Sequence, residues 1–295
     1  KKAEDGTKTL ELVPQNRQMT VLDLLRHTSG ITYGFYGDSL VRKAYKEANI
    51  YAGEFDLAEF AERIAKLPLH NQPGALWQYG HSTDILARIM EIASGKPLFE
   101  IEKDKLLTPL GMVDTGFWMP QEKASRVVAI HTYTDGVITG PPENRVTTSK
   151  PSFLAGSGGL MSTAEDYWRF AQAVLNGGEL NGQRVLQADT VKLMRTNVIS
   201  PTAKVDLYGP SQVGIGFGMD FAIVMDPQKA GTPQGLNTFY WGGAFGTWFW
   251  IDPTNDLVFV GMIQNLNGSN PAQGTPATRV ISPRITYDAL VDRSK

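Results

Sequence analysis

From about residue 206 onward the chain changes its pattern, and that change constrains the fold more than any other feature. Residues 214–224, 238–251 and 257–264 are rich in β-branched, aromatic and glycine residues, punctuated by Asp226-Pro227 and Asp252-Pro253. Branched and aromatic side chains fit a pleated, half-buried surface, so these runs read as three strands. The short Pro/Asn/Asp turn between the last two predicts an antiparallel meander. Upstream, apolar residues recur with helical spacing over 57–65, 83–94, 99–107 and 164–175, and a further helix is predicted over 188–194. Thr20 with Asp23 reads as a capping pair that opens a helix stopped by Gly30, and Ser82 and Thr163 read as N-caps of two others. A closing helix is predicted over 282–293. A mostly helical region, 1–205, followed by a sheet region, 206–295, is an α+β arrangement.

At 295 residues the chain can bury one large core, or two lobes that share a cleft. Its net charge of −2 offers no basic surplus for nucleic acid or an anionic membrane. No apolar run is long enough to span a bilayer as a helix. Cysteine is absent, which excludes disulfides and thiolate catalysis. That suits an exported and a cytosolic protein alike, so the compartment stays open. The four histidines, His27, His70, His81 and His131, lack metal-ligand spacing, and neither a metal nor another cofactor is expected.

Three stretches could carry chemistry. In Trp77-Gln78-Tyr79-Gly80-His81-Ser82 a tyrosine precedes a helix start. Held there, its hydroxyl can face a cleft, and nearby cations can lower its pKa enough for general-base work. The alternative is a loop tyrosine that packs its ring. In Tyr240-Trp241-Gly242-Gly243-Ala244 a strand loses its side chains at two positions. Such an edge can present a bare N–H to an oxyanion, or can be a bulge or a packing feature. Gly156-Ser157-Gly158-Gly159 leads into a capped helix, but it lacks the lysine of a phosphate loop and the strand context of a dinucleotide site.

The order of five segments resembles the serine β-lactamase superfamily, specifically class C β-lactamases and family VIII carboxylesterases, from about residue 14 to the end. The segments are 19–31 with its His27-Thr28-Ser29-Gly30 ending, Trp77-Gln78-Tyr79-Gly80 followed by Asp84-Ile85-Leu86, 158–166, 176–182, and Trp241-Gly242-Gly243. The resemblance implies a β-lactamase/transpeptidase-like fold and an acyl-enzyme mechanism. Tyr79 then matches the family's tyrosine, and Ala244 the residue whose backbone N–H forms half of the oxyanion hole. His81 stands where the family's tyrosine motif has Asn, and Trp241 where its Lys-Thr-Gly strand has lysine. The Trp-Gly-Gly form is similar to that of family VIII esterases, with Trp241 an apolar wall in place of a cation. Trp241, Gly242, Gly243, His81, Tyr33, Phe35 and Tyr36 are the candidates for contact with substrate.

The family's Ser-x-x-Lys motif is not in these 295 residues, because no serine has a lysine three positions on. The expectation is therefore that an N-terminal piece of the same precursor carries that motif. It would also supply the remaining sheet strands and the buried nucleophile helix, and these residues would not fold alone. The predicted function is serine-dependent hydrolysis of a small ester or amide, most simply as a carboxylesterase. The alternatives are a class C-type β-lactamase or D-amino-acid peptidase, and a catalytically inactive binding protein of the same fold.

Overall fold

The computed structural model describes residues 8–134, 137–140, 146–205, 212–266 and 276–291. The predicted boundary at 206 lies outside these residues, as do the last residues of the predicted closing helix.

Helix α1 (Val21–Leu25) opens on the predicted capping box, in which Thr20 and Asp23 each accept the other's backbone N–H. It stops before Gly30, because His27 already turns into the left-handed region at φ 53°. Helix α2 (Leu40–Glu47) was not legible: Tyr45 is its buried residue, and the remaining positions are largely charged. Helix α3 (Leu57–Ala65) and helix α4 (Ser82–Ser94) follow. The predicted cap Ser82 is instead the first helical residue, and its Oγ lies 2.8 Å from the buried Ser29 Oγ. Helix α5 (Leu98–Glu102) widens into a π turn over Lys103–Leu107, and α6 (Thr108–Leu110) ends at Gly111. After the hairpin β1 (Thr132–Thr134) and β2 (Val137–Thr139), helix α7 (Ala164–Leu175) starts on Thr163, as predicted. Strands β3 (Glu179–Leu180) and β4 (Gln183–Arg184) lead to α8 (Ala188–Met194).

The main sheet holds β5 (Ile215–Phe217), β6 (Ala222–Val224), β7 (Phe239–Gly242), β8 (Trp248–Asp252) and β9 (Leu257–Gly261), paired antiparallel in chain order. The short helix α9 (Pro227–Ala230) sits between β6 and β7, and α10 (Thr278–Asp288) follows the sheet. The meander is as predicted, but two of the three predicted strands are hairpins. The first run reverses at Asp220, φ 60°, and the second at Gly246, φ 97°. Both reversals keep β-forming residues on either side, so composition does not mark them.

Packing places the site between the two regions. Ala171 and Val174 of α7 join Phe221, Ile223, Phe239, Phe249 and Ile251 in the core under the sheet. A second core, including Leu24, Ile31, Tyr45, Phe60 and Ile64, holds the helical region. Between them Trp77, Ala203, Val205, Phe217 and Ala222 are buried together, with Tyr79 and Trp241 packed against them. Helix α10 is pinned to the sheet by Trp248 Nε1–H donating to Ser282 Oγ at 3.1 Å and by a short hydrogen bond from the Tyr287 hydroxyl to Asp252.

Candidate active site

The loop that carries Tyr79 is laid against the end of α1 by backbone hydrogen bonds. His70, Gly74 and Gln78 donate N–H to the carbonyls of Gly30, Thr28 and His27, each at 2.7 Å. Gly80 makes this approach possible. A Cβ there would lie 2.3 Å from Ile31 O and 2.5 Å from Thr32 Cα. Asp23 holds the other side of that turn, buried and bonded to Arg17, Thr20, Arg26 and Thr28. Burial alone would raise its pKa, but the hydrogen bonds, chiefly from Arg17, hold the carboxyl well below its ordinary range.

Tyr79 is half-buried among rings. It stacks parallel to Trp77 and meets His27 at 4.8 Å, Tyr33 at 5.3 Å, Trp241 at 5.4 Å and Tyr36 at 6.3 Å between centroids. Its Oη accepts a hydrogen bond from Trp241 Nε1–H at 3.2 Å, across 162 residues of sequence. Trp241 is thus a hydrogen-bond donor to the tyrosine. Phe35, two-thirds exposed, stacks on the buried Tyr33 at 4.8 Å. Burial, then the charge Tyr79 would carry when ionised, pushes the Tyr33 hydroxyl far above the usual phenol range, so it stays a neutral donor.

His81 is 1% exposed and lies beneath Tyr33, with ring centroids 4.4 Å apart. Its Nδ1 is 3.0 Å from Asp84 Oδ2, and Asp84 Oδ1 accepts the Ser157 N–H at 2.9 Å. The glycine-rich loop is therefore a clamp on α4. A Cβ on Gly156 would sit 2.2 Å from Thr83 O.

On the sheet side, residues 243–247 turn β7 into β8. Gly243 N–H donates to Thr247 O at 2.8 Å, and Gly246 N–H to Gly243 O at 3.1 Å. Arg279 Nη2 donates to Gly243 O at 2.5 Å and to Thr247 O at 3.1 Å. Cβ atoms at Gly242 and Gly243 would lie 2.8 Å from Arg279 Cζ and 2.4 Å from Thr247 Oγ1. Ala244 is exposed, and its N–H donates to nothing among the described residues.

The structure therefore brings Tyr33, Phe35, Tyr36, Tyr79, His81 and Trp241 into one aromatic group, with Gly242, Gly243 and Ala244 continuing from Trp241. Sequence reasoning places Gly80 and Asp84 in the tyrosine segment without giving either a role, and it misses Arg279. The spacing of His81 and Asp84 at a helix start was a usable signal for one pair. Nothing local marks Arg279. Among the described residues no group of His, Asp and Glu could hold a metal ion.

Comparison with known proteins gives the family. Residues 8–281 match the family model described as Beta-lactamase. Protein Rv1367c of Mycobacterium tuberculosis is 36% identical over 298 residues, covering 94% of this chain and 73% of the relative. Esterase EstB of Burkholderia gladioli is 32% identical over 253 residues, covering 78% of this chain and 61% of that protein. The solved structure of EstCE1, described as a hydrolase with promiscuous acyltransferase activity, superposes with a TM-score of 0.76 at 20% identity, over 97% of this chain and 74% of that one. At that identity the likeness shows the fold, and it agrees with the α+β arrangement of helices and antiparallel sheet. The chain belongs to the beta-lactamase family, the serine β-lactamase-fold hydrolases whose members include esterases and acyltransferases.

Proposed function

We propose that the protein is a carboxylesterase that works through an acyl-serine, with Tyr79 as general base and then general acid. The observation that carries this reading is the hydrogen bond from Trp241 to Tyr79 Oη. A neutral indole N–H favours the phenolate oxygen while bringing no cation to hold a substrate carboxylate. An ester has no such carboxylate to be recognised, whereas a β-lactam does. The nucleophilic serine and its lysine belong to a Ser-x-x-Lys segment of the same precursor outside these 295 residues.

Tyr79 Oη takes the proton of the serine hydroxyl as Oγ bonds to the ester carbonyl carbon. The carbonyl electron pair moves onto oxygen, and the Ala244 N–H, without an acceptor among the described residues, supplies one of the two donors to that oxyanion. The tetrahedral intermediate collapses, the C–O bond to the alcohol breaks, and Tyr79 returns the proton to the leaving oxygen. Water repeats the sequence on the acyl-serine and releases the acid. Phe35, Tyr36 and Trp241 offer the apolar surface for the ester's acyl or alcohol part, with the Tyr33 hydroxyl as a neutral donor among them. His81, buried under Tyr33, acts from behind that surface.

The test compares p-nitrophenyl butyrate with nitrocefin, using the precursor that includes the Ser-x-x-Lys segment. A kcat/KM for the ester well above that for nitrocefin is expected. The reverse order would make the protein a β-lactamase or peptidase, and no turnover of either would make it a binding protein.

A further inference from the structure

Two residues with left-handed backbones meet beside Tyr79. His27, φ 53°, ends the turn after α1, and Asp220, φ 60°, makes the hairpin between β5 and β6. Such angles are uncommon outside glycine, and Asp and His are among the residues that adopt them most readily. The two lie 193 positions apart in sequence, yet His27 Nε2 is 3.2 Å from Asp220 Oδ1, an ion-pair distance without hydrogen-bond geometry. Asp220 Oδ1 is buried with no hydrogen-bond partner among the described residues. The Asp220 N–H donates to Leu25 O at 2.9 Å, so the hairpin is tied to the end of α1 through its backbone, with the carboxylate beside the imidazole. The imidazole is 2% exposed, boxed by Trp77 at 6.0 Å, Phe217 at 5.8 Å and Tyr79 at 4.8 Å. Its own carbonyl accepts the N–H of Gln78, the residue before Tyr79.

We propose that His27 and Asp220 are positioning residues for Tyr79, joining the sheet to the tyrosine's loop so that the phenol oxygen is held in place. This rests on the reading of Tyr79 as the base. Three contacts converge on one segment: the ring of His27 on the ring of Tyr79, the carbonyl of His27 on the peptide before it, and the carboxylate of Asp220 beside the imidazole Nε2. Without the carboxylate, the imidazole loses its charged neighbour at Nε2 and is held by its ring contacts alone, which loosens the ring against which the phenol packs. A displacement of less than an ångström at the phenol oxygen is enough to slow proton transfer.

Glycine separates this role from a purely structural one. Asp220→Gly keeps a residue that accepts φ 60° and removes the carboxylate, whereas Asp220→Asn keeps both the left-handed preference and an oxygen. Ester hydrolysis by the precursor should fall about 10-fold in kcat for Asp220→Gly with KM within about twofold, and Asp220→Asn should restore at least about half. Combined with Tyr79→Phe, Asp220→Gly should cause no further loss, because the group it positions is gone. Wild-type kcat in Asp220→Gly, or an equal loss in the Tyr79→Phe background, overturns the inference and leaves the base assignment standing. Near wild-type turnover by Tyr79→Phe itself overturns the base assignment, and this inference with it.

Discussion

The two sides of the candidate site are built by different means. The tyrosine side is fixed by close backbone approach: Gly80 lies against Ile31 and Thr32, and Gln78 is bonded to His27. Its neighbours are buried rings and the satisfied carboxylate of Asp23. The sheet side is a turn over 243–247, exposed at Ala244 and Phe245 and shaped by its own backbone bonds and by the guanidinium of Arg279. The difference teaches which part must be rigid before substrate arrives. On the proposed reading, a proton-transfer oxygen has to be placed to a fraction of an ångström, and burial does that. On the same reading, a peptide N–H that waits for an oxyanion has to stay uncovered, and Ala244 is exposed.

This contrast can be broken at several strengths. The largest effect is expected from Tyr79→Phe, which leaves the ring packing intact and removes the oxygen. Ester kcat should drop by roughly 10²–10⁴-fold while the melting temperature stays put, as steady-state kinetics with calorimetry would show. Next, Ala244→Pro deletes the N–H that has no described partner. A loss of about 10²–10³-fold in kcat with little change in stability is the expected result, and unchanged turnover would remove the turn from the oxyanion hole.

Asp23→Ala attacks the buried side through its foundation. It strands Thr20 N–H and the Thr28 hydroxyl and should cost about 2–4 kcal/mol by urea denaturation. Because the folded pKa of Asp23 lies below its unfolded value near 3.8, the stability it gives is full above that pH and is lost as pH falls further. The wild-type protein should therefore lose stability in acid more steeply than Asp23→Ala.

The smallest effect belongs to a group outside both sides. Burial pushes the Glu102 carboxyl up from 4.5 to about 7, in the segment entering the π turn. Between those pH values the unfolded chain ionises this group and the folded protein does not, so stability drains away as pH rises. Glu102→Gln should raise the melting temperature by a few degrees at pH 8, change nothing at pH 4, and leave kcat alone. An equal shift at both pH values would point to packing rather than titration.

Much of this was legible from periodicity and caps. Helices α3, α7 and α8 lie where the apolar spacing and Thr163 placed them. The strands were legible as β-forming runs but not as hairpins, since the reversals at Asp220 and Gly246 depend on backbone angles that neighbouring residues do not announce. Helix α2 escaped because its eight residues include one buried position. At the site, Tyr79 and Trp241 could be named from their motifs, yet their hydrogen bond spans 162 residues. Gly80 and Arg279 act through steric fit and through reach across the sheet. Such roles exist only once the chain is folded, so they leave no spacing to read.

The strand order of the sheet also sets a clock. Each strand from β5 to β9 pairs with the one made just before it, so the sheet can grow as the ribosome delivers it. Tyr79, by contrast, emerges 162 residues before the tryptophan that bonds its oxygen. At about 5–20 residues per second, that is a wait of roughly 10–30 s. During it the face of Trp77 and Tyr79 that Phe217 and Trp241 later cover stands open to other chains. A nascent protein of this design has most need of a chaperone in that interval, and slow codons between the two motifs would lengthen it.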